Sequence, residues 1–240
     1  MAAAPVLPAN AAEKPVSIVL VHGAFVDASG WRAVYDQLSQ DGYEVLVVQN
    51  PTITLQDDVA VTRRAIAKAK HPVVLVGHSY GGAVITEAGD DPKVRSLVYV
   101  AAFAPDVGES VATLAKKPVP GEPQAPLLPA EDGFLIVDPA KFPTAFAADV
   151  DAGVTAFMAN SQVPWGLGAV GGTITTAAWK SKPSHYLLTT EDHMVPPTAQ
   201  RAMARLAGAT IKEVKSSHAV MLSHPDVVAA FIEGASQSAH

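Results

Sequence analysis

Short apolar runs rich in β-branched residues recur along this 240-residue chain, and segments with helical spacing separate them. Val16–Val21 is apolar or small throughout, which fits a strand covered on both faces better than one with a wet side. Tyr43–Val48, Val73–Val76 and Val94–Ala101 repeat the pattern, and His185–Thr190 and Thr210–Val214 resume it later. Between them, Trp31–Leu38 has helical spacing, with Ser29 placed to cap it and Gly42 past its end. Leu55–Lys70 opens at Thr54 with Asp57 three residues on, close to a capping box. Further helices are expected from Gly81, over Pro197–Leu206 and over Pro225–Glu233. Strands that alternate with helices pair in parallel. The expectation is an α/β fold, a mostly parallel sheet with helices on both faces, forming one domain over residues 15–240.

From Pro105 to about Pro183 the alternation fails. Pro118, Pro120, Pro123, Pro126 and Pro129 crowd one stretch, and Phe134, Phe142, Phe146, Phe157 and Trp165 follow. So long a departure is poorly explained by one structureless loop. An insertion with its own short helices, a cap at about residues 106–183, is expected over the sheet. At the other extreme, residues 1–14 read as a leader. Ala2–Ala12 is uncharged and rich in Ala and Pro, and Ala9-Asn10-Ala11 matches a signal-peptidase pattern without a basic region before it. A disordered leader and a signal-peptide remnant both fit; the remnant would favour a periplasmic or secreted location over a cytoplasmic one.

Composition removes several function classes. With 49% hydrophobic and 17% charged residues, the chain is not of the disordered type. Acidic residues outnumber basic ones 23 to 17, and no basic cluster offsets this, so a nucleic-acid partner is not expected. No apolar run approaches the ~18 residues of a membrane span. Cysteine is absent, which removes disulfides, thiolate metal sites and a cysteine nucleophile. His71, His185, His193 and His240 show no ligand spacing, so a bound metal is not expected. Nothing in the sequence sets an oligomeric state.

The strongest chemical signal is Gly77-His78-Ser79-Tyr80-Gly81-Gly82, a G-x-S-x-G pattern between an expected strand and an expected helix. In so sharp a turn the serine is forced out of the sheet, while Gly77 and Gly81 let the backbone close around it. The helix start directs N–H groups and positive dipole to the same point. A serine hydroxyl needs a base to take its proton and a carboxylate to orient that base. Asp192 follows the strand His185–Thr190, and His218 follows Thr210–Val214, both at carboxyl ends of strands where open α/β sheets place ligands. Glu191 and Asp106 compete with Asp192, and His224 competes with His218, although His224 precedes Pro225 where a helix-start role also fits. The oxyanion of an acyl-transfer intermediate requires two donors. The N–H groups of Tyr80 and of Ala24, on the loop after the first strand, are the candidates. His22 is expected to support that loop. Phe25, Tyr80, Phe103, Phe134, Phe157 and Trp165 could line an apolar substrate pocket, or each could be simple core packing.

Together these residues resemble the α/β-hydrolase superfamily from Val16 to Gly234. Val21-His22-Gly23-Ala24, with Trp31 shortly after, is similar to the branch holding small serine esterases, methyl-salicylate-type esterases and hydroxynitrile lyases. The resemblance implies cofactor-free chemistry at Ser79, His218 and Asp192 beneath a cap, with a small uncharged ester as substrate. In lyases of that branch a lysine follows the histidine; Ala219 stands there in this chain, which favours ester hydrolysis over cyanohydrin cleavage. The Asp192-His193-Met194-Val195-Pro196 loop also resembles that of cofactor-free perhydrolases. Perhydrolase or lyase chemistry, or a ligand receptor on the same fold, are the alternatives.

Overall fold

The computed structural model describes residues 14–116 and 121–237. Along the chain run β1 (Ser17–Val21), α1 (Arg32–Gln40), β2 (Glu44–Val48), α2 (Leu55–Lys68), β3 (Val73–His78), α3 (Gly81–Ala88) and β4 (Val94–Val100). A long segment follows with α4 (Val111–Ala115), β5 (Phe134–Leu135), α5 (Phe142–Phe146), α6 (Ala152–Asn160), β6 (Trp165–Gly166) and α7 (Leu167–Val170). The chain then returns through β7 (Ser184–Thr189), α8 (Pro197–Leu206), β8 (Thr210–Val214), α9 (Val220–Ser223) and α10 (Pro225–Gln237).

Six strands form one sheet in the order β2-β1-β3-β4-β7-β8, and every pairing in it is parallel. The fold is therefore α/β, as the alternation of runs predicts. Successive side chains of a strand face opposite ways, and here both faces are covered. Val19, Val21, Leu75, Leu97 and Tyr99 join one core with α2, α3 and α8 through Val59, Ile66, Val84 and Met203. Ile18, Leu20, Val74, Val76, Val98 and Val100 face the other, closed by α1 and α10 through Val34, Leu38, Val228 and Ile232. Burial on both faces is why these runs carry no polar alternation. The edge strands β2 and β8 are only part-buried, and β8 accordingly carries Lys212 and Glu213.

β1 lies between β2 and β3, so the strand order reverses there, and an open sheet has its ligand crevice outside the carboxyl ends at such a point. The loops after β1 and β3 both leave the sheet at that place. Between β4 and β7, β5 and β6 pair antiparallel. α4 begins with a full capping box, Ser110 and Thr113 each bonding the other's backbone N–H.

Of two expected helix caps, one forms and one does not. Thr54 does cap α2, accepting from Asp57 N–H at 3.1 Å. Ser29 does not cap α1; it sits inside a 3₁₀ turn (Ala28–Trp31), and the Asp27 side chain accepts from Ser29 N–H at 2.8 Å. Of the leader expected over residues 1–14, residues 1–13 lie outside the described residues, as do Pro118 and Pro120. Lys14 is tied to the fold, its N–H donating to Gly42 O at 3.1 Å.

Candidate active site

β3 runs into a turn that holds Ser79 in left-handed backbone, φ +53°, a region an L-residue enters at a cost of order 1 kcal/mol. Three backbone bonds maintain it. Ser79 N–H donates to Val100 O at 3.2 Å, and Ser79 O accepts from Gly82 N–H at 3.0 Å and Phe103 N–H at 3.1 Å. The turn closes only with glycine at its ends. A Cβ on Gly77 would stand 2.5 Å from Gly81 O, and one on Gly81 would stand 2.7 Å from the carbonyl oxygens of Val21 and His22.

Asp192 and His218, on the loops after β7 and β8, are both fully buried and bonded to each other. His218 Nδ1–H donates to Asp192 Oδ2 at 2.7 Å. That bond fixes the proton on Nδ1 and leaves a lone pair on Nε2, which is buried and has no hydrogen-bond partner among the described residues. The carboxylate is held by four more donors. Oδ1 accepts from the N–H groups of Met194 at 2.8 Å and Val195 at 2.9 Å; Oδ2 accepts from Thr189 Oγ1 at 2.9 Å and Gln200 Nε2 at 2.8 Å. The histidine is fixed from behind as well. His78, next to the serine, donates from Nε2 to His218 O at 2.9 Å, and the two rings lie 4.6 Å apart. Burial, then the neighbouring His218, hold the His78 pKa well below its usual value, so it stays neutral.

The competing residues are engaged elsewhere. Glu191 is exposed and faces Lys215 at 3.5 Å, and Asp106 pairs with Lys180. His224 bonds Ser223 Oγ at 2.9 Å at the start of α10. His22 supports its loop as expected: Nε2 accepts from Asn50 N–H at 2.8 Å, Nδ1 donates to Gly23 O at 2.8 Å, and burial lowers its pKa.

Ala24 lies against Ser79 in one cavity, and Tyr80 directly follows the serine. Among the described residues, neither backbone N–H is used in a backbone hydrogen bond. The cavity measures about 100 Å³ and is lined by Phe25, Phe103 and Trp165, with Leu135, Met194 and Val195. It shares Phe103, Met194 and Val195 with an adjoining cavity of about 500 Å³, which reaches α4 and α8. Two aromatic candidates stand apart. Phe134 precedes Leu135 on β5, and strand alternation turns Leu135, not Phe134, into the lining. Phe157 is 73% exposed on α6 and borders a separate cavity of about 330 Å³.

Sequence reasoning passed over several groups that hold the site. Thr189 and Gln200 brace Asp192. Asp149, between α5 and α6, accepts from Ser216 Oγ at 2.8 Å and from Ser217 N–H at 3.1 Å, just before His218. Asp58 is fully buried on α2 and accepts from Tyr80 Oη–H at 2.5 Å and Thr52 N–H at 2.9 Å. Burial, outweighing those two bonds, pushes its pKa up to about 6, and the adjacent Asp57 adds to the rise. A signal for Asp58 exists in the sequence: it interrupts the apolar stripe Leu55, Val59, Thr62, Ile66 of its helix. Thr189 and Gln200 lie within eight residues of Asp192 but break no pattern, and Asp149 is far from its partners along the chain.

The fold defines an α/β protein with its polar machinery at the carboxyl edge of a parallel sheet. Within that class, the chain belongs to the alpha/beta hydrolase family, whose model matches residues 18–231. It is 29% identical to an alpha/beta hydrolase, nvfD, of Aspergillus novofumigatus, over 93% of this chain and 97% of that one. A carbendazim hydrolyzing esterase of Nocardioides is 37% identical over 45% of this chain and 51% of its own. The crystal structure of polyneuridine aldehyde esterase superposes with a TM-score of 0.79 at 21% identity, over 93% of this chain and 100% of that one.

Proposed function

We propose that the protein hydrolyses a small, uncharged carboxylic ester through a serine acyl-enzyme. The buried 2.7 Å bond between His218 Nδ1 and Asp192 beside the Ser79 turn is the observation that supports this most directly. Names among the relatives point the same way, since one is a carbendazim hydrolyzing esterase and another, from Arabidopsis thaliana, is Methylesterase 7.

In the proposed reaction Ser79 Oγ attacks the ester carbonyl while His218 Nε2 takes its proton, and Asp192 stabilises the imidazolium so formed. The tetrahedral oxyanion accepts from the N–H groups of Ala24 and Tyr80; losing one such donor costs ~10²–10³ in rate in comparable sites. The C–O bond then breaks and His218 returns the proton to the departing alcohol. Water repeats the sequence on the acyl-enzyme, releasing the acid. His218 Nε2 has no hydrogen-bond partner among the described residues, and the bond between a catalytic base and its nucleophile tightens when substrate binds. The apolar walls at Ser79 suit a hydrophobic acyl or alkyl group extending into the larger cavity, with residues 106–183 acting as a cap.

A fluorophosphonate probe followed by peptide mass spectrometry tests the reading. One adduct at Ser79 is expected, together with turnover of short p-nitrophenyl esters that Ser79→Ala abolishes. Equal rates for the two proteins would sink the serine mechanism, and tight ligand binding without turnover would mark a receptor.

A further inference from the structure

Among the described residues, Asp58 and Asp192 are the two acidic side chains with no exposed surface. Asp192 has five hydrogen-bond donors to hold it, one of them an imidazole. Asp58 receives only the Tyr80 hydroxyl and the Thr52 N–H. Burying a carboxylate without a cation is costly, and a well-packed apolar side chain on this stripe of α2 would remove the cost. Packing alone gives no reason for a carboxylate there.

Its two partners do give one. Tyr80 contributes the peptide next to the serine, and its ring lies 5.2 Å from that of Trp165. Thr52, itself in left-handed backbone at φ +56°, accepts from Gly166 N–H at 2.8 Å and donates from Oγ1 to Pro164 O at 3.1 Å. These two bonds flank Trp165, a wall of the cavity at Ser79. One carboxylate thus ties the residue after the serine to the strand that shapes the pocket. Building on the serine-esterase reading, we infer that Asp58 is a positioning residue for the reaction. It fixes the Tyr80 peptide, whose N–H receives the oxyanion, by anchoring the Tyr80 side chain from below.

Asp58→Asn keeps the size and can still accept from Thr52, but toward Tyr80 it can offer only an amide N–H to the phenol oxygen, so the bond runs in reverse and loses its ionic acceptor. Tyr80→Phe removes the same bond from the other side and keeps the ring against Trp165. For each variant, kcat toward a p-nitrophenyl ester is expected to fall about 10-fold or more with KM within about twofold, a fraction of the loss for deleting an oxyanion donor. Inhibition by a trifluoromethyl ketone, to whose carbonyl the serine adds, is expected to weaken by a similar factor. The double variant should be no slower than the slower single one, because both changes act on one interaction. Active-site titration with the fluorophosphonate normalises each rate to folded, reactive enzyme, so loss of folding does not imitate the effect. Full kcat in either variant, a change confined to KM, or additive losses would overturn the inference. Undiminished activity of Ser79→Ala would instead reject the esterase reading on which it rests.

Discussion

Asp58 and Asp192 are equally buried, yet their surroundings set them to opposite tasks. Five donors converge on Asp192, one of them an imidazole, whereas Asp58 has two, neither cationic. Its raised pKa has a stability consequence with a definite sign. The native state keeps the Asp58 proton up to about pH 6, while the unfolded chain gives it up near 3.8, so between those values the unfolded state binds fewer protons. Stability is therefore lost as pH rises through that window, by about 3 kcal/mol. Asp58→Asn removes this titration. Urea unfolding from about pH 4 to about pH 7 should show the variant gaining on wild type by roughly that amount. Parallel curves would contradict it. A sturdier and slower Asp58→Asn enzyme is what a site that sacrifices stability for positioning predicts.

At the scale of elements, the β3–α3 turn and α4 govern different constants. Gly77→Ala would place a methyl against the Gly81 carbonyl, backbone that has little freedom to yield. The turn must open, and fluorophosphonate labelling of Ser79 is expected to slow by about 10-fold or more, in keeping with the steep cost of small misplacements. Ser110→Ala removes half of the α4 capping box at a local cost of about 1 kcal/mol. Leu114 and Ala115 on that helix line the larger cavity, so KM for long-chain esters should rise while kcat for short ones holds. Much of this level is legible in the sequence. Thr54 announces α2, and the doubly buried strands stand out because their apolar runs show no regular polar alternation. Ser29 misleads because Asp27, two residues earlier, offers a carboxylate to the same turn. β5 is only two residues long, too short for its period to show which of Phe134 and Leu135 faces the pocket. α6 is apolar on several sides, with Val154 and Phe157 exposed, so its pattern does not reveal which side meets the protein.

Across the whole molecule, the segment between β4 and β7 is bonded to the sheet's loops at separated points. Asp149 holds the loop that carries His218, and Gly166 and Pro164 hold Thr52. Contacts of this kind join residues more than sixty positions apart, and a single sequence contains no trace of them. Asp149→Ala should free residues 215–219, seen as faster amide hydrogen exchange there while the strands β1 and β3 remain protected. Unchanged exchange in that loop would mean the clamp carries no mechanical load.

The order in which the sheet is threaded also bears on when the protein becomes competent. Ser79 follows β3, but the imidazole bonded to Asp192 belongs to the loop after β8, far downstream of it. On the proposed mechanism, a growing chain on the ribosome would hold an unassisted alcohol until β8 and the loop after it have emerged. Translation products truncated before His218 would then be inert.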